Sequence, residues 1–216
     1  MLNKYEILSP GSTYHVYNRA NGNEKMFVDA DNYEFFLKQY QLYLGPFVDT
    51  FCYCLISNHF HLLIRVKEEK EILLHMHQNR QGFASAAGRQ NLDGFPSSPT
   101  LQTIEKIISN QFSKFFTSYS KSFNSTYNRK GSIFMKSFKR ILVKDQKYLL
   151  KLVHYIHHNP VEARLCSSPE KWKYSSYPSI INGKNDLLNT KELIDWFDDL
   201  NGFKDFHKLS VDLDEQ

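Results

Sequence analysis

Cysteine is scarce in this chain: 216 residues include only Cys52, Cys54 and Cys166. An odd, sparse set implies no disulfide framework and fits a reducing compartment. Long apolar runs are absent, so no segment reaches membrane-spanning length, and the start Met1-Leu-Asn-Lys-Tyr-Glu6 lacks the character of a secretory signal. No internal repeat is present. Neither sign of charge dominates: the net charge is +4, mildly basic, compatible with nucleic acid without requiring it. What is abundant is apolar and aromatic content, at 41% and 15%, enough to exclude a disordered chain and to build a real core. We expect a soluble protein of one domain, or of one domain with an appendage.

The segment Phe51 to Val66 is rich in β-formers and contains His59-Phe60-His61. Side chains alternate faces along a strand, so His59 and His61 project together while Phe60 and Leu62 point the other way. Two imidazoles on one face can share a divalent cation. Two half-exposed histidines on a sheet are the plainer alternative. Cys52 and Cys54 would also share a face, where buried packing competes with a zinc pair.

A second constellation is Val153-His-Tyr-Ile-His-His-Asn-Pro160. With Asp145 as N-cap, Gln146 to His158 reads as a helix whose apolar side carries Leu149, Leu152, Val153 and Ile156. Pro160 disfavours helical geometry at Asn159, so the helix is expected to end there. Tyr155 and Asn159 are four apart and share a face. A tyrosine can act as nucleophile, and an amide oxygen can complete a metal's coordination. Taken singly, such a tyrosine is packing and such an asparagine a cap.

These motifs resemble the REP-associated tyrosine transposases, which belong to the single-tyrosine HUH transposases of bacterial insertion sequences. The likeness is carried by Asn58-His-Phe-His-Leu-Leu-Ile64 and by Tyr155-Ile-His-His-Asn-Pro-Val161. Tyr14-His-Val-Tyr-Asn-Arg19 looks like the family's first strand. Asn128 to Arg140 resembles its NRxGxLFxxxFK segment, and Trp172 to Tyr177 its WxxSSY ending. The resemblance covers roughly residues 10–66 and 101–178, five motifs in the family's order.

The resemblance implies an α+β fold, the HUH endonuclease or ferredoxin-like core: an antiparallel β-sheet with helices packed mainly on one face and the histidine pair on a central strand. It implies Tyr155 as the catalytic nucleophile. His59 and His61 become ligands of Mg²⁺ or Mn²⁺, with Asn159 as the third. A two-histidine site favours Mn²⁺ or loose selectivity, because Mg²⁺ prefers oxygen. The implied activity is cleavage and rejoining of single-stranded, hairpin-forming repeat DNA through a 5′-phosphotyrosine bond. Monomer and homodimer both occur among such proteins, and the implied location is the bacterial cytoplasm, at the nucleoid.

Residue by residue, alternatives stay open. Tyr148 competes with Tyr155 on spacing. His158, three residues beyond Tyr155, is a candidate proton acceptor or alternate ligand, or a solvent contact. Arg19, Arg129, Lys130, Lys136, Lys139 and Arg140 form a candidate phosphate track with Phe134 and Phe138 as base-stacking partners, or else a half-buried strand with solvated lysines. Two other function classes compete: a DNA-binding protein that keeps hairpin recognition without cleavage, and a metal-dependent hydrolase in which Tyr155 is structural.

Along the chain, a strand is expected over Thr13 to Asn18, a helix capped by Asp29 or Asp31 through Leu44, and strands over Val48 to Leu55 and His59 to Val66. A long helix follows from Thr103 to Phe123, then a strand or hairpin arm near Ser132 to Val143. The transposase-like domain would span 1–180. Residues 67–100 read as a flexible insertion and 181–216 as an appendage with one helix, Thr190 to Leu200, and an acidic tail.

Overall fold

The computed structural model describes residues 5–79, 101–183 and 186–211. Its frame is a four-stranded sheet of order β2-β3-β1-β4, where β1 is Thr13–Arg19, β2 Val48–Ile56, β3 His59–Val66 and β4 Lys139–Leu142. All three pairings are antiparallel. The histidine strand β3 is therefore central, as expected from the resemblance. Alternation along it sends Phe60, Leu62 and Ile64 to one core and Leu63 to the other.

The first face is covered by helices α1 (Ala30–Leu44) and α3 (Leu101–Thr126). In α3, Ile104, Ile108, Phe112, Phe115 and Tyr119 are buried, a 4-4-3-4 spacing that keeps one stripe against α1 and the sheet. Asp29 begins α1 by accepting from the Asn32 backbone N–H, while Asn32 reaches back to the cap's own N–H, an arrangement worth about 1 kcal/mol.

The second face is covered as well. Helix α4 (Gln146–Glu162) and the short helices α5 (Tyr177–Ile181), α6 (Thr190–Asp195) and α7 (Leu200–Phe206) enclose a second core. That core needs cover because Phe51, Cys52, Cys54 and Leu63 are all apolar there. Both cysteines are buried and free, so the packing alternative holds for them. Phe51 and Cys52 point to the same core because the β2–β3 register shifts between Thr50 and Cys52, a bulge.

Several expectations are corrected. Helix α4 continues past Asn159 to Glu162 with Pro160 inside it. Proline forfeits one backbone bond, but the Ala163 and Leu165 N–H groups donate to Asn159 O and Pro160 O, and both Asn159 and Pro160 are buried. Within the stretch 67–100, read as a flexible insertion, Glu69–Gln78 form helix α2, anchored by the buried Ile72. The rest of that stretch, 80–100, lies outside the described residues. The Ser132 to Val143 arm shrinks to the strand Lys139–Leu142, with an isolated bridge from Phe134 to Ala20. The helix expected over Thr190 to Leu200 is broken in two. α6 ends at Asp195, Asp198 turns the chain at φ 69, and the Asp199 side chain caps α7 through the Gly202 N–H.

Residues 188–206 pack directly on the sheet. Arg65 of β3 holds Glu192 of α6 through two 2.6 Å bonds, and the Asn189 N–H donates to Thr50 O. Leu193, Phe197 and Phe203 complete the second core. The acidic tail, 212–216, lies outside the described residues.

Candidate active site

Strand β3 delivers His59 and His61 to the second face, and α4 crosses that face with Tyr155 and Asn159 on its near side. Asp145 caps α4 by accepting from the Tyr148 N–H, which fixes the helix start and hence the rotation of its faces. Leu152, Val153 and Ile156 then seat it on the second core. Tyr148 is buried in that core, which removes it from competition for the nucleophile role.

The two motifs meet through Asn159. Its Oδ1 lies 3.0 Å from Nε2 of His59, and it stands one turn beyond Tyr155 on the same helix. The Tyr155 ring stands nearly perpendicular to the His61 ring, centroids 5.3 Å apart, and the two histidine rings are 5.1 Å apart. Burial pushes the Tyr155 phenol above its ordinary range, the Glu162 carboxylate adds to this, and the Asn159 amide opposes both. Burial lowers His59 and holds His61 well below the imidazole range, so both rings are neutral, the form that ligates metal.

The donor set fits a divalent ion. As oriented, His59 has Asn58 Oδ1 at 2.8 Å from Nδ1 and Asn159 Oδ1 at 3.0 Å from Nε2. A neutral imidazole has one N–H for two carbonyl oxygens, so one nitrogen faces oxygen lone pair to lone pair. A cation beside Nε2 and Oδ1 resolves that conflict, as does turning the Asn159 amide over. Adjacent ligands of a six-coordinate ion with bonds of about 2.1 Å stand about 3 Å apart, the separation found here. Among the described residues no group of three or more His, Cys, Asp or Glu side chains could hold a metal, so the set rests on the amide oxygen.

The basic residues divide. Arg19 is exposed, stands opposite His59 in the β1–β3 register and acts electrostatically on it. Lys139, opposite Tyr17, lies over the Tyr17 ring on the same face, 5.5 Å from its centroid. Lys130 and Lys136 are exposed on the segment leading into β4. Arg129 is instead tied to the Glu24 carboxylate and to backbone oxygens of Gly131 and Ser132, closing its own loop. Arg140 points to the other face, bonding Glu6 O and lying 4.9 Å from the Phe138 ring centroid. The base-stacking partners are corrected: Phe134 packs on Phe116 at 4.9 Å and Phe138 on Phe112 at 4.8 Å, both within the first core.

His158 is also turned away from the site. Its Nδ1 pairs with His154 O at 3.1 Å, and its ring stacks on His154 at 3.8 Å on the side facing His207 of the C-terminal segment. Two site neighbours were not singled out from the sequence: His15, whose Nε2 is 2.8 Å from Nδ1 of His61, and Tyr17, stacked on His15 at 4.7 Å. Their signal was alternation in β1, which puts His15, Tyr17 and Arg19 on one face.

No protein-family model and no curated protein matches this chain. Among solved structures it is similar in fold to a REP-associated tyrosine transposase bound to a REP hairpin, with a TM-score of 0.54 and 12% identity, over 100% of this chain and 95% of that one. At that identity the likeness establishes the shared α+β fold. Among the described residues, no helix is long and apolar enough to cross a membrane.

Proposed function

We propose that this protein cleaves and rejoins single-stranded DNA beside a hairpin, with Tyr155 as nucleophile. The observation that carries the reading is Asn159, which reaches His59 across a hundred residues of sequence while standing one helical turn from Tyr155 on the same helix. Together with His61 it gathers a nucleophile and a nitrogen–oxygen donor set at one point of the sheet. The fold shared with a hairpin-bound transposase supports the same substrate class.

His59, His61 and Asn159 would hold Mg²⁺ or Mn²⁺. When bound, the ion withdraws electron density from the scissile phosphate and neutralises charge developing on it. Tyr155 Oη attacks phosphorus, so an O–P bond forms to the phenol as the bond from phosphorus to the 3′ oxygen breaks. The phenol gives up its proton and the departing 3′ oxygen takes one up, leaving a 3′-OH and a 5′-phosphotyrosine. A second 3′-OH reverses the step and joins strands. Because the phosphodiester is exchanged for a phosphotyrosine ester, no nucleotide cofactor is consumed. Asn159 favours the ionised form of the phenol, against the effect of burial. Arg19 and Lys139, on the same face, would take neighbouring phosphates.

The test is adduct formation on hairpin oligonucleotides from the gene's flanks, labelled at the 3′ end and incubated with Mn²⁺ or Mg²⁺. We expect a labelled, protein-sized band in a denaturing gel with wild type, lost in Tyr155→Phe and His59→Ala. Binding of the same hairpins with no adduct in either metal points to hairpin recognition without cleavage. Multiple turnover without an adduct points to a hydrolase in which Tyr155 is structural.

A further inference from the structure

His15 takes no part in the chemistry above, yet it makes a buried contact with one of its groups. Its Nε2 is 2.8 Å from Nδ1 of His61, and the two residues are 4% and 5% exposed. The strand register produces the pair: His15 stands opposite Leu63 and Tyr17 opposite His61, so the imidazoles are diagonal neighbours on one face. The Tyr17 ring stacks on both, 4.7 Å from His15 and 5.5 Å from His61. Both imidazole planes are thereby held nearly parallel, 24° apart.

A hydrogen bond between two neutral imidazoles carries one proton, and the side that gives it fixes the tautomer of each. If His15 donates from Nε2, His61 accepts at Nδ1 and carries its own proton on Nε2, where no lone pair is left for a ligand. If His61 donates from Nδ1, its Nε2 lone pair is free and His15 keeps its proton on Nδ1. Histidines that bind metals commonly use their second N–H in this way, toward a carboxylate, backbone carbonyl or water.

We propose that His15 is a positioning residue: by accepting the Nδ1 proton of His61 it holds that ring in the tautomer whose Nε2 can bind a divalent cation. This rests on the reading of His61 as a ligand. A neutral imidazole as acceptor orients the ring without adding charge beneath the site. It also couples β1 to the metal position, so the outer partner comes from the neighbouring strand rather than from the ligand's own.

The test begins without metal. Full-length protein with ¹⁵N-labelled histidine, at neutral pH, is examined by two-bond ¹H–¹⁵N correlation, with His61 assigned by comparison with His61→Asn. We expect His61 as the Nδ1–H tautomer in wild type. His15→Phe, which keeps an aromatic ring against Tyr17 but has no acceptor, should lose that preference. His15→Gln, whose amide oxygen can accept, should restore it. Mn²⁺ titrations followed by electron paramagnetic resonance should then show binding weakened roughly 10- to 100-fold in His15→Phe, the range for lost outer partners. Most of that loss should be recovered in His15→Gln. A wild-type His61 protonated on Nε2 overturns the proposal even if His15→Phe does not fold, as does equal Mn²⁺ affinity in wild type and a folded His15→Phe. Wild type that binds no Mn²⁺ removes the underlying ligand reading, a separate failure because the tautomer is read in metal-free protein.

Discussion

Oδ1 of Asn159 lies 3.0 Å from Nε2 of His59, joining the end of the α4 helix to the start of the central strand. Asn159 stands one turn from Tyr155 on that helix, so the His59 contact brings the helix face that carries Tyr155 to the strand. Replacing Asn159 by Ala removes an oxygen donor and is expected to weaken Mn²⁺ binding by a factor on the order of ten, about 1.4 kcal/mol. Asn159→Asp puts a carboxylate in the same place and should bind Mn²⁺ more tightly than wild type. Calorimetric titration decides it; an Asp variant that binds no better than the Ala variant would take Asn159 out of the ligand set.

Lys139 shares a face with His61 through the register Tyr17↔Lys139 and Tyr17↔His61, whereas Arg140 faces the other core. Lys139→Ala should therefore weaken single-stranded DNA binding and flatten its salt dependence by about 0.7 in log–log slope, the value for one phosphate contact. Fluorescence anisotropy across a range of salt concentrations reads this directly. An unchanged slope means that Lys139 touches no phosphate.

Burial lowers His207 to about 3 and His154 to about 4 from the usual 6.5, in a cluster joining α4 to the C-terminal segment. Above 6.5 both folded and unfolded states keep these rings neutral, so their contribution to stability is fully present. Below it the unfolded chain binds protons that the folded chain refuses, and stability falls as pH falls toward 4. Urea midpoints should drop between about pH 7 and about pH 5, more shallowly in His207→Gln. A flat wild-type profile through that window contradicts the buried neutral pair.

Phe203 is fully buried in the second core, stacked near Tyr177 and packed on Phe197. Its truncation to Ala should cost about 3–5 kcal/mol. Because residues 188–206 cover the same sheet face as α4, the loss should appear as one cooperative urea transition shifted to lower denaturant. Two separate transitions, with only the first displaced, would mean that the C-terminal segment unfolds on its own.

Local pattern carried much of this protein. Alternation in His59 to Ile64 determined which side chains share a face, and the 3.6-residue spacing in α1, α3 and α4 marked their buried stripes. Asp145 was legible as a cap, and the α1 cap was narrowed to Asp29 or Asp31, because capping chemistry acts within one turn. Tyr155 and Asn159 could be put on one helix face, and paired with His59 and His61 by resemblance.

Tertiary structure decided what depends on register and packing. The partnership of His15 with His61 exists because β1 pairs with β3 at Tyr17↔His61, a choice that no local periodicity encodes. Phe134 and Phe138 could be read from the sequence either as base-stacking partners or as packing, and their contacts with Phe116 and Phe112 of α3 decide for packing. Pro160 stays inside a helix because burial of the last turn offsets one lost backbone bond. His158 turns to His154 because the C-terminal segment fills the far side of α4. Sequence sets which groups each element offers to its faces; only the packed sheet and helices determine which of those groups meet.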